Sequence, residues 1–305
     1  MPPHGDSSVA RVSPPAGDQI VPRAYFPYVV AGRRQVPESS PDLWHARAML
    51  VDTHCHLHLL ETPAEEVVAG ALAEGVGHLV DVGVDLDSSR RAAANAARLA
   101  QVSATAGVHP HDADSLDAPT LNGLRRLLAD ERVVGVGETG LDYHYDNSPR
   151  PDQRAAFAAH VRLARELDKA LVVHCREAFA DVLAILDGEG APPRVVFHCF
   201  AGDATDAARV VEAGWYVSFA GMLTFRNAPE LRAACAAVPL DRMVLETDSP
   251  FLSPHPFRGR PNHPARVAVT ARTVADLHGV PVEAVAAATT ETAAEAFALP
   301  LDGRG

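Results

Sequence analysis

From Met49 onward the apolar positions follow two alternating rhythms. Short β-branched runs read as buried strands: MLVDTH (49–54), HLVDVGV (78–84), VSATAGVH (102–109), VVGVGE (133–138), LVVH (171–174), RVVFH (194–198), WYVSFA (215–220) and RMVLETD (242–248). Alanine-rich amphipathic segments separate them, at 64–75, 88–100, 119–130, 150–169, 178–188, 203–213, 227–237 and 263–278. A helix pair or a single helix is expected over 281–298, and Ser88 and Asp203 carry N-cap signals. Eight strands, each followed by a helix, predict an α/β fold, a (β/α)8 TIM barrel, and about 250 residues of alternation match its usual size. An open doubly wound sheet is the runner-up. It would usually carry a glycine-rich phosphate loop after the first strand, where this chain has His-Cys-His.

Composition adds boundaries. Residues 1–47 hold eight of the 24 prolines and little periodic pattern, so they are expected to form a largely disordered or loosely packed leader. Residues 48–305 are then one barrel domain. The 47% apolar and 22% charged content suits a soluble globular protein. Every apolar run is broken by acids, arginine or glycine, so no membrane span is expected, and the start lacks the pattern of a signal peptide. A cytoplasmic protein, a monomer or at most a weak oligomer, is the default expectation.

The four cysteines, Cys55, Cys175, Cys199 and Cys235, are far apart, which fits reduced thiols rather than a zinc knuckle or redox pair. The net charge of −12 excludes a general basic surface for wrapping nucleic acid, but not one anionic substrate held at a local cationic site.

The strand ends carry the candidate chemistry. His54 and His56, His109, Glu138, His174, His198 and Asp248 close strands 1, 3, 4, 5, 6 and 8. In a barrel these ends converge on the face where this fold places its active sites. Residues i and i+2 of a strand share a face about 6.5 Å apart, so His54 and His56 can share an ion if the strand end bends. By the same alternation Cys55, Cys175 and Cys199 would face the helical layer. One strand-end histidine is more often structural than a ligand; the convergence of several is not explained that way. Five imidazoles and two carboxylates exceed the needs of one tetrahedral zinc and suit two ions bridged by a carboxylate. Arg176, Arg258 and Arg260 lie on the same rim and could contact an anionic substrate, although a surface salt bridge or solvated loop explains each as well. His58, His111, His144, His255 and His263 are expected not to be ligands. Asp142 and Tyr143 are expected to orient Glu138 or shape the pocket.

The stretches LVDTHCHLH, GVHPHDA, VGETGLDYH, VVHCREA, FHCFAGD and LETDSPFLSP resemble the successive signatures of TatD-type metal-dependent deoxyribonucleases, members of the amidohydrolase-like superfamily. The resemblance spans about residues 49–298. It implies that His54, His56 and Asp248 hold a first metal, that Glu138 bridges, that His174 and His198 hold a second, and that His109 sits near a bound phosphate. It also implies cleavage of DNA phosphodiesters, often 3′→5′, with Mg2+ or another divalent ion. This chain departs from the pattern at His58, Ala170, Ala180 and His263.

The expected function is hydrolysis of DNA at strand ends, single-stranded ends above all, by a 3′→5′ exodeoxyribonuclease of the kind used in DNA repair. Two divalent ions (Mg2+, Zn2+ or Mn2+) would activate water, with Asp248 as general base and Glu138 as the bridge. His109, Arg176 and Arg258 are the substrate-binding candidates. Tyr143, Phe225 and Phe251 could stack on a strand end. Hydrolysis of an ester or amide such as D-aminoacyl-tRNA is the alternative, and a non-catalytic binding module the third. Glu138, standing where a carbamylated lysine would, argues against that amidohydrolase subtype.

Overall fold

The structure is a computed structural model that describes residues 49–299. The expected leader, 1–47, lies outside the described residues. Eight strands form one parallel sheet in chain order: β1 (Leu50–Cys55), β2 (Val76–Val82), β3 (Val102–Ala106), β4 (Val133–Asp142), β5 (Ala170–Arg176), β6 (Val195–Phe197), β7 (Tyr216–Phe219) and β8 (Met243–Leu245). Helices alternate with them: α1 (Ala64–Ala73), α2 (Leu86–Arg98), α3 (Ala118–Leu128), α4 (Arg150–Leu167), α5 (Phe179–Glu189), α6 (Ala204–Glu212), α7 (Pro229–Ala237) and α8 (Val267–His278). The segment over 281–298 is one helix, α9 (Val282–Phe297). This is the (β/α)8 barrel that the rhythm predicts. Among the described residues no helix is long and apolar enough to cross a membrane.

Local chemistry sets the helix starts. Asp203 caps α6 by accepting from the N–H groups of Thr205 and Asp206. At α2 the cap is Asp85, not Ser88. Ser88 is its capping-box partner, donating its N–H to Asp85 Oδ1 at 2.6 Å while its hydroxyl accepts from the Asp85 N–H.

Strand alternation divides the core into two layers. Val51, Val80, Val82, Val134, Ala170, Val172, Val196 and Val244 fill the barrel, joined by Ala293, Ala296 and Phe297 of α9. Thr290 of α9 bonds the Met49 carbonyl and Thr292 the Leu240 carbonyl, so α9 packs under the N-terminal ends of β1 and β8. Leu171, Val173, Val195 and Phe197 instead face the helices. With Ala170 and Val172 inside, period two aims His174 into the mouth; with Val196 inside, it does the same for His198.

Closure of the barrel sets the rest. β1 and β8 meet at a bridge between Cys55 and Ser249. The His56 N–H donates to the Ser249 carbonyl and the Asp248 N–H to the His54 carbonyl, both at 2.9 Å. Below them the buried Asp52 side chain takes the Thr247 N–H at 2.8 Å and pairs with its hydroxyl at 2.6 Å. The seam therefore stitches His54 and His56 directly to Asp248.

Candidate metal centre

Glu138 is the hub of the mouth. Its Oε2 lies 3.3 Å from His54 Nε2 and 3.9 Å from His56 Nε2. Its Oε1 lies 2.7 Å from His198 Nε2, 2.9 Å from His174 Nδ1 and 3.3 Å from His109 Nε2. Asp248 Oδ1 stands 3.3 Å from His56 Nε2 and 3.9 Å from His54 Nε2. Three trios bring potential ligand atoms within 4.8 Å of one another: His54, His198 and Asp248; His54, His56 and Glu138; His109, Glu138 and His174.

His174 and His198 share Glu138 Oε1, and two residues also fall in further groups. His198 falls with His54, their rings stacked at 3.9 Å, although its Nε2 also faces Glu138. His109 joins Glu138 and His174 among the atoms able to hold an ion. Glu138 is also not at a strand end. It sits inside β4, which runs on to Asp142 paired with Arg176 of β5. The β4–β5 register shifts between Val136 and Thr139, and Gly137 takes a φ of +135° there. A Cβ at Gly137 would come within 2.6 Å of the Val172 carbonyl, so only glycine lets β4 pass this close to β5. At β1 a similar shift between Asp52 and Cys55 puts both histidines at the site and packs Cys55 in the outer layer, its thiol donating to the Val80 carbonyl.

The outer edges of the rings are held by acceptors, which sets their tautomers. His56 Nδ1–H donates to the Val82 carbonyl at 3.0 Å, leaving the Nε2 lone pair toward Asp248. His198 Nδ1–H donates to Glu246 Oε1 at 3.3 Å, and Glu246 also accepts from Cys199 N–H and Ser218 Oγ–H. His174 Nε2–H and His111 Nε2–H both donate to Asp142 Oδ2 at 3.1 Å. Asp142 thus orients His174 and His111, which fits the expectation that it shapes the pocket rather than the expectation that it orients Glu138. Burial would raise its pKa, but the bonds from His174 and the Tyr145 N–H hold it well below the usual carboxylate range.

The residues fit divalent ions. His54 is fully buried, yet neither of its ring nitrogens makes a well-aligned hydrogen bond. Unpartnered buried polar atoms are costly, and a cation bound by their lone pairs removes the cost. Burial, with His198 beside it, pushes His54 down to about 4, so at neutral pH it is an uncharged donor ready to ligate. Burial opposes ionisation of Glu138, but His198 and His109 hold its pKa well below the usual range. Among the described residues no cysteine belongs to the trios. Burial raises the thiols of Cys55 and Cys199 well above the usual value.

Other candidates lie around this centre. His58 stands edge-on to His56 at 5.7 Å and is in no trio. His144 pairs with Glu177, and His263 accepts from the Ala265 N–H. Arg176 lies 4.7 Å over the Tyr145 ring and Arg258 3.9 Å over Phe225; neither bonds to the carboxylate–imidazole cluster. Tyr143 is turned away, its hydroxyl donating to Asp181 at 2.7 Å and its ring covered by Arg150 at 4.2 Å. Glu246 was not anticipated. The only signal for it was an acid two positions before Asp248, in a stretch read as strand.

A (β/α)8 barrel whose mouth gathers imidazoles around shared carboxylates has the architecture and donor set of a metal-dependent hydrolase. The family model described as TatD related DNase matches residues 51–298, and the chain belongs to that family. A Bacillus subtilis protein described as an uncharacterized metal-dependent hydrolase, YabD, is 40% identical over 252 residues, covering 82% of this chain and 99% of the relative. A Cronobacter sakazakii protein described as a 3′-5′ ssDNA/RNA exonuclease, TatD, is 36% identical over 239 residues, covering 76% of this chain and 91% of the relative. The crystal structure of YjjV, a TatD homolog from Escherichia coli, matches with a TM-score of 0.78 at 27% identity, covering 82% of this chain and 98% of that one. The protein is a metal-dependent hydrolase, and the binding-module alternative is set aside.

Proposed function

We propose that the protein hydrolyses phosphodiester bonds at DNA ends, as a 3′→5′ exonuclease using two divalent ions. The observation that carries this reading is Glu138. Its two oxygens face different histidines, Oε2 toward His54 and His56 and Oε1 toward His109, His174 and His198, so Glu138 would serve ions held by both groups. His54, His56 and Asp248 would hold one ion and His174 and His198 the other, with His109 beside the second. When bound, the pair supplies Lewis acidity, lowering the pKa of a water and neutralising charge on the phosphoryl oxygens.

The chain's own groups do the rest. Asp248 is the more open of the two central carboxylates, with 13% of its side chain exposed against 4% for Glu138. Asp248 is therefore the base, receiving the attacking water's proton at its carboxylate facing the mouth. Glu138, buried and ringed by imidazoles, stays ionised and fixes the spacing of the site. The exonuclease relative from Cronobacter supports a nucleic-acid substrate.

The test uses the full chain stripped with chelator and reloaded with Mg2+, Mn2+ or Zn2+, with metal content measured by elemental analysis. End-labelled single-stranded DNA should lose nucleotides from the 3′ end. Glu138→Gln and Asp248→Asn should abolish cleavage with circular dichroism unchanged. Intact DNA under all three ions, or cleavage of an aminoacyl-tRNA ester in its place, would sink the reading.

A further inference from the structure

Large apolar side chains are exposed at three positions among the described residues: Leu59, Tyr145 and Phe251. All three stand on loops after strands, on the rim of the mouth: Leu59 after β1, Tyr145 after β4, Phe251 after β8. Single exposed apolar residues need no explanation, but their restriction to the rim of one site does.

The two rings sit at opposite ends of the cluster. Phe251 stands edge-on to His56 at 6.2 Å, on the Oε2 side of Glu138. Tyr145 stands edge-on to His111 at 5.5 Å, and His111 lies 4.4 Å from His109, on the Oε1 side. Both are tied to the site by backbone bonds. The Phe251 N–H donates to the Asp248 carbonyl at 2.8 Å. The Tyr145 N–H donates to Asp142 Oδ1 at 2.9 Å, the carboxylate whose other oxygen positions His174. Arg176 covers Tyr145, and among the described residues neither it nor Arg258 forms an ion pair.

We infer that Phe251 and Tyr145 are stacking platforms for two unpaired bases flanking the scissile phosphate, with Arg176 beside Tyr145 to meet the neighbouring phosphate. The inference rests on the phosphodiesterase reading above and assigns the residues that would favour an unpaired strand. Every base has a π-face, so such platforms are sequence-tolerant, and in a duplex end those faces are already stacked on each other. A strand that straddles Glu138 places its phosphate on the ions and one base at each end of the cluster.

The test measures KM and kcat for Phe251→Ala and Tyr145→Ala on a single-stranded oligomer, and on the same oligomer with an abasic residue at the terminal or the penultimate position. Both rings are exposed, so the variants should fold. Each should raise KM about 5- to 150-fold, the range for one lost base–aromatic stack, with the larger effect in KM than in kcat. An abasic residue should weaken the wild type by a similar factor. Each variant should be insensitive to one abasic position, a different one for the two, and Tyr145→Phe should recover the wild-type KM. The same factors should appear without turnover, as Kd values from anisotropy of a labelled oligomer in chelator. If oligomers are cleaved but both variants keep the full abasic penalty, this inference fails and the phosphodiesterase reading stands. If the metal-loaded wild type cleaves no oligomer, both fall.

Discussion

Replacing His160 tests how the barrel supports the loop that carries His109. His160 is fully buried on α4. Its Nδ1–H donates to the Ala156 carbonyl at 2.7 Å, so its Nε2 lone pair accepts the Val108 N–H at 3.1 Å, one residue before His109. In His160→Ala that N–H loses its acceptor, at about 1–3 kcal/mol. The void left by the ring adds about 2–3 kcal/mol, the low end for large-to-small core changes. The total, about 3–6 kcal/mol, is a large part of a domain's usual 5–15 kcal/mol. His160→Gln keeps an acceptor and should recover about 1–3 kcal/mol of the loss.

The pH dependence separates this account from simple packing. Burial pushes His160 from 6.5 down to about 4 in the folded protein, because the charged ring would be desolvated and would donate where it must accept. The unfolded chain therefore binds the proton first. The contribution of neutral His160 is complete above about pH 6.5, falls as the pH drops, and is gone near pH 4. Its advantage over glutamine should shrink by about 2 kcal/mol between about pH 7.5 and about pH 5. Urea unfolding in chelator, followed by circular dichroism and Trp215 fluorescence, measures it; differences between variants at each pH cancel the other histidines. A difference that stays constant or grows on acidification would refute the assignment of His160 as a buried neutral acceptor.

Two further outcomes follow from the same structure. Glu246→Gln keeps an acceptor for His198 Nδ1–H but removes the charge behind it, and should weaken metal binding about 10- to 100-fold with little change in stability; competition against a chelating dye gives the affinity, and an unchanged value would mean that Glu246 only packs. Phe297→Ala opens the barrel floor and should lower stability by about 3–5 kcal/mol, while metal affinity, set at the other end, stays the same; calorimetry with a parallel metal titration checks both.

Much of this was legible in the sequence because it depends on short-range periodicity. The eight strands, the single-residue alternation that turns His174 and His198 inward and Cys175 outward, and the cap at Asp203 are local patterns, decided within a few residues. Where the backbone breaks its period, the sequence misleads. Glu138 reads as the end of a strand, but β4 passes through it, and the glycine at 137 permits the passage. Tyr143 reads as available to a substrate, but packing against Arg150, Arg154 and Asp181 withdraws it, whereas Tyr145, which the sequence did not single out, stands exposed.

The sequence by itself determined which side chains reach the mouth, since six of the eight strands carry a donor to the same end. Only the tertiary structure decided which donors stand together and which carboxylates stand behind them. Asp52 and Thr247, 195 positions apart, close the seam that sets His54 and His56 against Asp248. Asp142 and Glu246 reach their histidines from other strands or loops, 32 and 48 positions away. Periodicity fixes the direction in which a residue points, whereas distances across a barrel follow from its closure and stagger, which no single stretch of chain encodes.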